Sequence, residues 1–230
     1  MVRTQALFDR FTDEQIYNRS ISPVLYPFLP WFGNLNPYGD ATPNRSGVAL
    51  GLQSDTSLKI LNATLQMDMF GEIIGEGVEE KRKYNALTAG MAFNLHKLIT
   101  LDRAIILNAS IRNEKTSRNG LAAIDFKSSL LDAGLTAEAF KKFDILMGAK
   151  ILSAKGNEYL TGRDEFNNVQ TFTPVSVNIT TNIYSAGVRF RYAEKSYFSV
   201  LYNTTDVKDN NSNQFDYTIK QLFFNYTLIF

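Results

Sequence analysis

The sequence predicts an all-β chain: an antiparallel up-and-down transmembrane β-barrel of about nine visible strands, forming part of a larger even-numbered barrel. Three observations lead there. Apolar and polar residues alternate with period two in segment after segment, which sorts them onto opposite faces of a strand and would mix them on a helix. The polar set is mostly Asn, Thr, Ser, Gln and Gly, whereas the outer face of a soluble barrel or sandwich is rich in Lys and Glu; here the charges gather in turns and loops. No stretch approaches the roughly 18 apolar residues of a membrane-spanning helix, although 44% of the chain is hydrophobic at a mean hydropathy of −0.17. Strands of about 9–11 residues cross a bilayer with only alternate positions apolar, so averaged hydropathy hides them. The 17 Phe and 11 Tyr suit strands and interfacial aromatic girdles.

Residues 1–45 stand apart from this pattern. A polar, helix-compatible stretch from Thr4 to Arg19 precedes SPVLYPFLPWFGNLNPYGDATPN, where Pro23, Pro27, Pro30, Pro37 and Pro43 exclude a central strand. Tyr26, Phe28, Trp31, Phe32 and Tyr38 make it too aromatic for a free loop. It is expected to plug the lumen, to cap the extracellular mouth or to bind a partner protein. Met1-Val-Arg-Thr-Gln carries no basic n-region followed by an apolar core. An exported protein with this start is expected to have lost its signal before Met1 or to be the C-terminal part of something longer.

From Ser46 the period-two signal takes over. Val48, Leu50 and Leu52 begin it, and Ser54 to Ser57 supplies a turn. Leu61, Ala63, Leu65, Met67 and Met69 then alternate with Asn62, Thr64, Gln66 and Asp68. Leu87 to Leu95 and Ile105 to Ile111 repeat the arrangement with small or polar opposite faces. Further strands are expected at about 120–138, 143–157, 182–193, 196–207 and 214–230, with a bulge near Leu130-Leu131 where the alternation slips. Three similar stretches, Gly90 to Lys97, Gly134 to Lys141 and Gly187 to Lys195, each place a Lys seven or eight residues after a Gly and read as tight hairpin ends. The alternate connections read as longer polar loops: Gly71 to Lys83, Lys115 to Asn119, Tyr159 to Thr180 and Asp206 to Asn213. Short turns at one end and long loops at the other place the short turns in the periplasm. Nine strands leave at least one more to find, in residues 1–45 against the prolines, or before Met1.

The last strand, FDYTIKQLFFNYTLIF, sets Leu222, Phe224, Tyr226, Leu228 and Phe230 on one face against Gln221, Asn225 and Thr227, interrupted by Phe223 and Ile229. That order suits lipid outside and water inside. It resembles the C-terminal strand of Gram-negative outer-membrane β-barrels, in which the terminal aromatic residue is read by the barrel-assembly machinery; Phe224, Tyr226, Leu228 and Phe230 are the candidate signal. YGDATPNRSG (38–47), LLDAGLTAEAFKKFDILMGAKILSAKGNEY (130–159) and NIYSAGVRFRYAEKSYFSVLYN (182–203) resemble, more narrowly, the C-terminal portion of an outer-membrane barrel from the Bacteroidota. That resemblance implies an outer-membrane location and either a barrel acting alone or a subunit of a larger envelope assembly. The chain departs from the TonB-dependent transporters of that group: it is too short for 22 strands and has no plug-domain pattern.

Eight charged residues are expected on the lumen face: Asp68, Arg112, Glu114, Asp125, Lys127, Lys150, Arg189 and Arg191. Their thin cationic excess would tune a channel toward anions or pair off in a blocked lumen. The single histidine, His96, lies beside Lys97 in a turn, and a lone His without Cys or a positioned nucleophile reads as a turn-flanking polar group. GEIIGEG at 71–77 matches neither the phosphate-loop nor the dinucleotide fingerprint. No enzyme activity, metal or cofactor is expected. With Lys plus Arg 24 against Asp plus Glu 23, bulk charge gives no reason to expect nucleic acid. The expected partners are outer-membrane lipid, the assembly machinery during biogenesis and other envelope proteins. Function is expected to be that of a passive channel or a membrane-embedded subunit; the competing readings are a soluble β-barrel or sandwich that binds a ligand, and an outer-membrane enzyme.

Overall fold

The computed structural model describes residues 45–54, 60–75, 79–99, 101–163, 165, 169–193, 196–212 and 216–227. Nine strands run through them: β1 (Arg45–Gln53), β2 (Leu61–Glu72), β3 (Lys83–Asn94), β4 (Ile105–Arg118), β5 (Ile124–Phe140), β6 (Phe143–Arg163), β7 (Val169–Arg191), β8 (Tyr197–Asp209) and β9 (Tyr217–Thr227). One helical turn, α1 (Leu95–Leu98), sits between β3 and β4. Each strand pairs antiparallel with the next, in the order β1 to β9 within a single sheet. The all-β meander is as expected. The sheet is not closed, and β1 and β9 are its two edges. The aromatic segment with Tyr26, Phe28, Trp31, Phe32 and Tyr38 lies outside the described residues, as do Lys195 and the terminal Leu228 and Phe230.

Period-two patterning becomes a difference between two faces. Along β5, Ile124, Phe126, Ser128, Asp132 and Thr136 are buried, while Asp125, Lys127, Leu131 and Ala133 are exposed. The bulge expected at Leu130-Leu131 is not there. Register with both neighbours runs unbroken through these residues, and the shift in this hairpin falls between Glu138 and Phe140. Two consecutive leucines fit an unbroken strand because Leu130 packs against the buried cluster, while Leu131 belongs to an exposed face that is itself apolar.

The loop expected from Tyr159 to Thr180 is also replaced. β6 continues to Arg163 and β7 starts at Val169, so this hairpin overshoots its neighbours: β5 joins β6 only from Asn157 down, and β8 joins β7 only from Ile179 down. Pro174 fits in the overshoot because β7 has no neighbour there on its far side and needs no donor toward it. β4 likewise extends to Arg118 through residues expected to form a loop, and β5 begins at Ile124 rather than near 120. Asymmetry between the two ends therefore lies more in strand length than in loop length. At the opposite end, β5 and β6 are joined by Lys141 and Lys142 alone, with Lys142 at φ 69°.

A cluster of Ile124, Phe126, Leu152, Ala154, Val177, Ile179 and Val207, with Leu130, Tyr159 and Val175 against it, occupies the covered face of β5 to β8. Burying each large member contributes roughly 1.5–3 kcal/mol. Gly156 permits the close approach of β5 to β6 beside it: its φ is +139°, and a Cβ there would lie 2.0 Å from the Asp125 carbonyl oxygen.

Candidate functional site: the two faces of the sheet

Antiparallel register converts sequence spacing into neighbours on the covered face. Asp132 and Lys150 are direct cross-strand partners, and their side chains form an ion pair at 3.3 Å, only 5% and 4% exposed. Arg112 and Glu114, two apart on β4 and so on one face, pair with each other. Asp144 lies opposite Glu138 on one side and Arg189 on the other; Arg189 contacts it at 2.8 Å, and Arg191 bridges Asp144 at 2.9 Å and Glu138 at 2.8 Å. The buried Asp68 accepts from Gln66 Nε2 at 3.1 Å. At the far end Glu72 accepts from the Tyr84 hydroxyl at 3.1 Å and from the Arg82 backbone N–H at 2.9 Å.

Six of the eight charged residues expected on the lumen face thus share the covered face: Asp68, Arg112, Glu114, Lys150, Arg189 and Arg191. Asp125 and Lys127 do not. They lie on the exposed face with side chains 58% and 62% exposed, because the unbroken register of β5 gives odd-numbered positions the opposite direction. The same parity brings in Asp132, which was not among the expected lumen residues. Glu138 and Asp144 were missed because they flank the hairpin turn, where alternation gives little guidance. With these included, the cationic members of the set all have acidic partners, and the expected anion-favouring excess disappears.

One row crosses eight strands on this face: Asn62, Ala92, Asn108, Gly134, Gly148, Ser185, Asn203 and Gln221. Asn108, Ser185 and Asn203 are buried, and side-chain oxygens of Asn62, Asn108, Ser185 and Asn203 have no hydrogen-bond partner. An unpartnered buried amide costs about 1–3 kcal/mol, so a row like this is stable where polar groups or water reach it. His96 is placed by α1 close to the same end of the sheet as this row, its Nδ1 3.3 Å from the Ile105 N–H and 3.2 Å from the Ile105 carbonyl oxygen. Among the described residues no group of three His, Cys, Asp or Glu could hold a metal ion.

The opposite face is apolar and exposed. The row Leu61, Phe93, Leu107, Leu135, Met147, Ala186, Tyr202, Leu222 is apolar or aromatic from β2 to β9. A second row starts apolar with Leu50, Met67 and Leu87, then turns polar as Asn113, Ser129, Ser153, Thr180 and Lys208. A third, Phe140, Phe143, Phe190, Phe198 and Tyr226, exists only from β5 to β9. The band therefore runs obliquely to the hydrogen-bond direction. Its middle is Leu50 in β1 and Val200 in β8, and the row through Leu50 meets β8 at Lys208, eight residues away after seven strand-to-strand steps. At about 3.3 Å per residue and about 4.8 Å per step, the slope is about 38°. Aromatic rings concentrate along the band's lower margin, where Phe140 stacks on Phe143 at 4.8 Å, Tyr192 on Tyr226 at 5.8 Å and Phe198 on Phe224 at 6.4 Å.

Comparison of the chain with family models, curated proteins and solved structures finds no match.

Proposed function

We propose that this chain is the wall of an outer-membrane β-barrel with a filled interior, serving as a membrane-embedded subunit of an envelope assembly. The observation that carries the reading is the slanted apolar band. Hydrocarbon is level, so strands that cross it at a tilt must carry their apolar residues at a position that shifts steadily from strand to strand. The slope of about 38° falls within the tilt of about 35–45° that transmembrane barrel strands adopt. On β6 the band runs from Phe143 to Ile151, about 26 Å along the strand and about 21 Å along the membrane normal, close to the apolar height of about 25 Å of such barrels. A soluble barrel or sandwich gains nothing from an exposed apolar belt and risks aggregation through it. Lipid and the machinery that inserts barrels are the partners this face calls for, with Phe224 and Tyr226 on its last strand.

The filled interior is supported by the covered face. Its ion pairs consume the charges that would line a selective pore, and the Phe126–Leu152–Val177 cluster puts apolar bulk where a diffusion channel needs water. A passive channel is the second reading, favoured by the row from Asn62 to Asn203. One preparation tests both. The protein is expected to resist alkaline extraction from the membrane fraction and, purified and inserted in planar bilayers, to pass no steady current. Release by alkali overturns the membrane reading, whereas stable conductance transfers the assignment to the channel.

A further inference from the structure

Three lysines on neighbouring strands stand in one register row of the exposed face: Lys115 on β4, Lys127 on β5 and Lys155 on β6. Directly beneath them, Asn113, Ser129 and Ser153 form a small polar step, and below that the apolar band begins with Ile111, Leu131 and Ile151. A hollow of about 590 Å³ opens there, walled by Met67, Leu87 and Ser129 under the three lysines. Among the described residues one carboxylate contacts the row: Asp125, 3.6 Å from Lys115 and 3.5 Å from Lys127. We propose that this row is a binding site for the phosphate-bearing headgroup of a membrane lipid in the leaflet that meets the overshooting β6–β7 hairpin.

The proposal rests on the membrane reading above. Its geometry follows from the band. Each lysine lies four residues beyond the last apolar rung, about 13 Å along a strand and about 10 Å along the normal at the observed slope. That is headgroup depth: the band is about 21 Å tall against a hydrocarbon core of about 30 Å, so the edge of the core lies about 4.5 Å beyond the last rung and the lysines about 5.5 Å past that edge, within a polar layer of roughly 5–7.5 Å on each side. Lysine stems lie along apolar surface while their ammonium groups reach out of it. Three ammonium groups on adjacent strands against a single shared carboxylate leave a local positive excess, and an anionic phosphate complements it. The hollow beneath, apolar on its β2 and β3 side, suits the first methylenes of an acyl chain.

The test is native mass spectrometry of the full chain extracted from its membrane in mild detergent, counting retained phosphorus-bearing lipid. The triple variant K115Q/K127Q/K155Q is expected to lose about tenfold or more of that lipid, each lysine near an anionic surface contributing roughly a factor of five. Asp125→Asn is expected to raise retention, which a purely structural role for these residues does not predict. Equal retention by wild type and triple variant, both membrane-embedded, overturns the site and leaves the membrane reading standing; a wild-type chain that alkali releases from membranes removes the membrane reading instead. Displacement of the lipid by millimolar inorganic phosphate assigns recognition to phosphate alone and overturns the lipid assignment.

Discussion

Asp132 and Lys150 hold opposite charges within 3.3 Å of each other where almost no solvent reaches. Such a pair adds little net stability over an apolar pair of similar volume, because desolvating both ions offsets their attraction. Removing one partner is a different matter, since the other charge is then buried alone. Lys150→Met is therefore expected to destabilise the fold by about 3–5 kcal/mol, and Lys150→Met with Asp132→Leu to recover most of that loss. Denaturant unfolding in detergent or lipid, compared across the single and double variants, measures the difference. A single variant as stable as wild type would show that solvent reaches the pair. Lys150 was legible in the sequence as a covered-face residue; its pairing with Asp132 was not, because alternation within a strand gives no register between strands, and it is the register of β5 with β6 that sets the two opposite each other.

At the scale of the strand, the exposed face makes its own demand. Leu135 on β5 lies in the row that is apolar from β2 to β9, whereas Asn113 on β4 lies above the band, level with Ser129. Arginine is expected to cost about 2–4 kcal/mol at Leu135 and at most about 1 kcal/mol at Asn113, the depth dependence of a charge on a lipid-facing strand. Folded yield in the membrane and unfolding from lipid vesicles both read this. Equal tolerance at the two positions would mean that the face meets water, and the soluble reading would gain. The existence of most strands was plain from period two alone, including β2, β3 and β4. The overshoot of β6 and β7 was not, because residues near 160–175 lie beyond the neighbouring strands, and two strands paired only with each other need not bury one face to keep their ladder. Tyr159 and Val175 do contact the core, but two contacts make no periodic signal.

For the whole molecule the controlling fact is that nine antiparallel strands leave β1 and β9 running the same way. Joining them directly would need a parallel seam, while an antiparallel closure needs an odd number of further strands between them, in line with the even strand numbers of bacterial single-chain barrels. Gly51 on β1 and Asn225 on β9 lie on the face opposite the band, each next to the middle of its strand's apolar residues and so at matching heights, and a Cβ at Gly51 meets open space. With Gly51→Cys and Asn225→Cys in one chain, no disulfide is expected on oxidation in the membrane. With one intervening strand the edges would stand about 10 Å apart, beyond the roughly 7 Å limit between Cα atoms for a disulfide. Efficient cross-linking would mean that the sheet closes on itself with a parallel seam.

The all-β class, the antiparallel meander and the position of most strands could be read from the residues alone, because side-chain direction in a strand repeats every two residues and leaves its mark in their order. That order also made the apolar face visible strand by strand. The register between strands came from the folded chain, and with it everything that depends on more than one of them. Cross-strand pairing moved Asp125 and Lys127 to the exposed face, matched Asp132 with Lys150 and aligned Lys115, Lys127 and Lys155 in one row. It also turned separate apolar stripes into a single slanted band. Pairing is non-local: a one-residue change of register reverses every side chain in a strand while leaving its sequence pattern untouched.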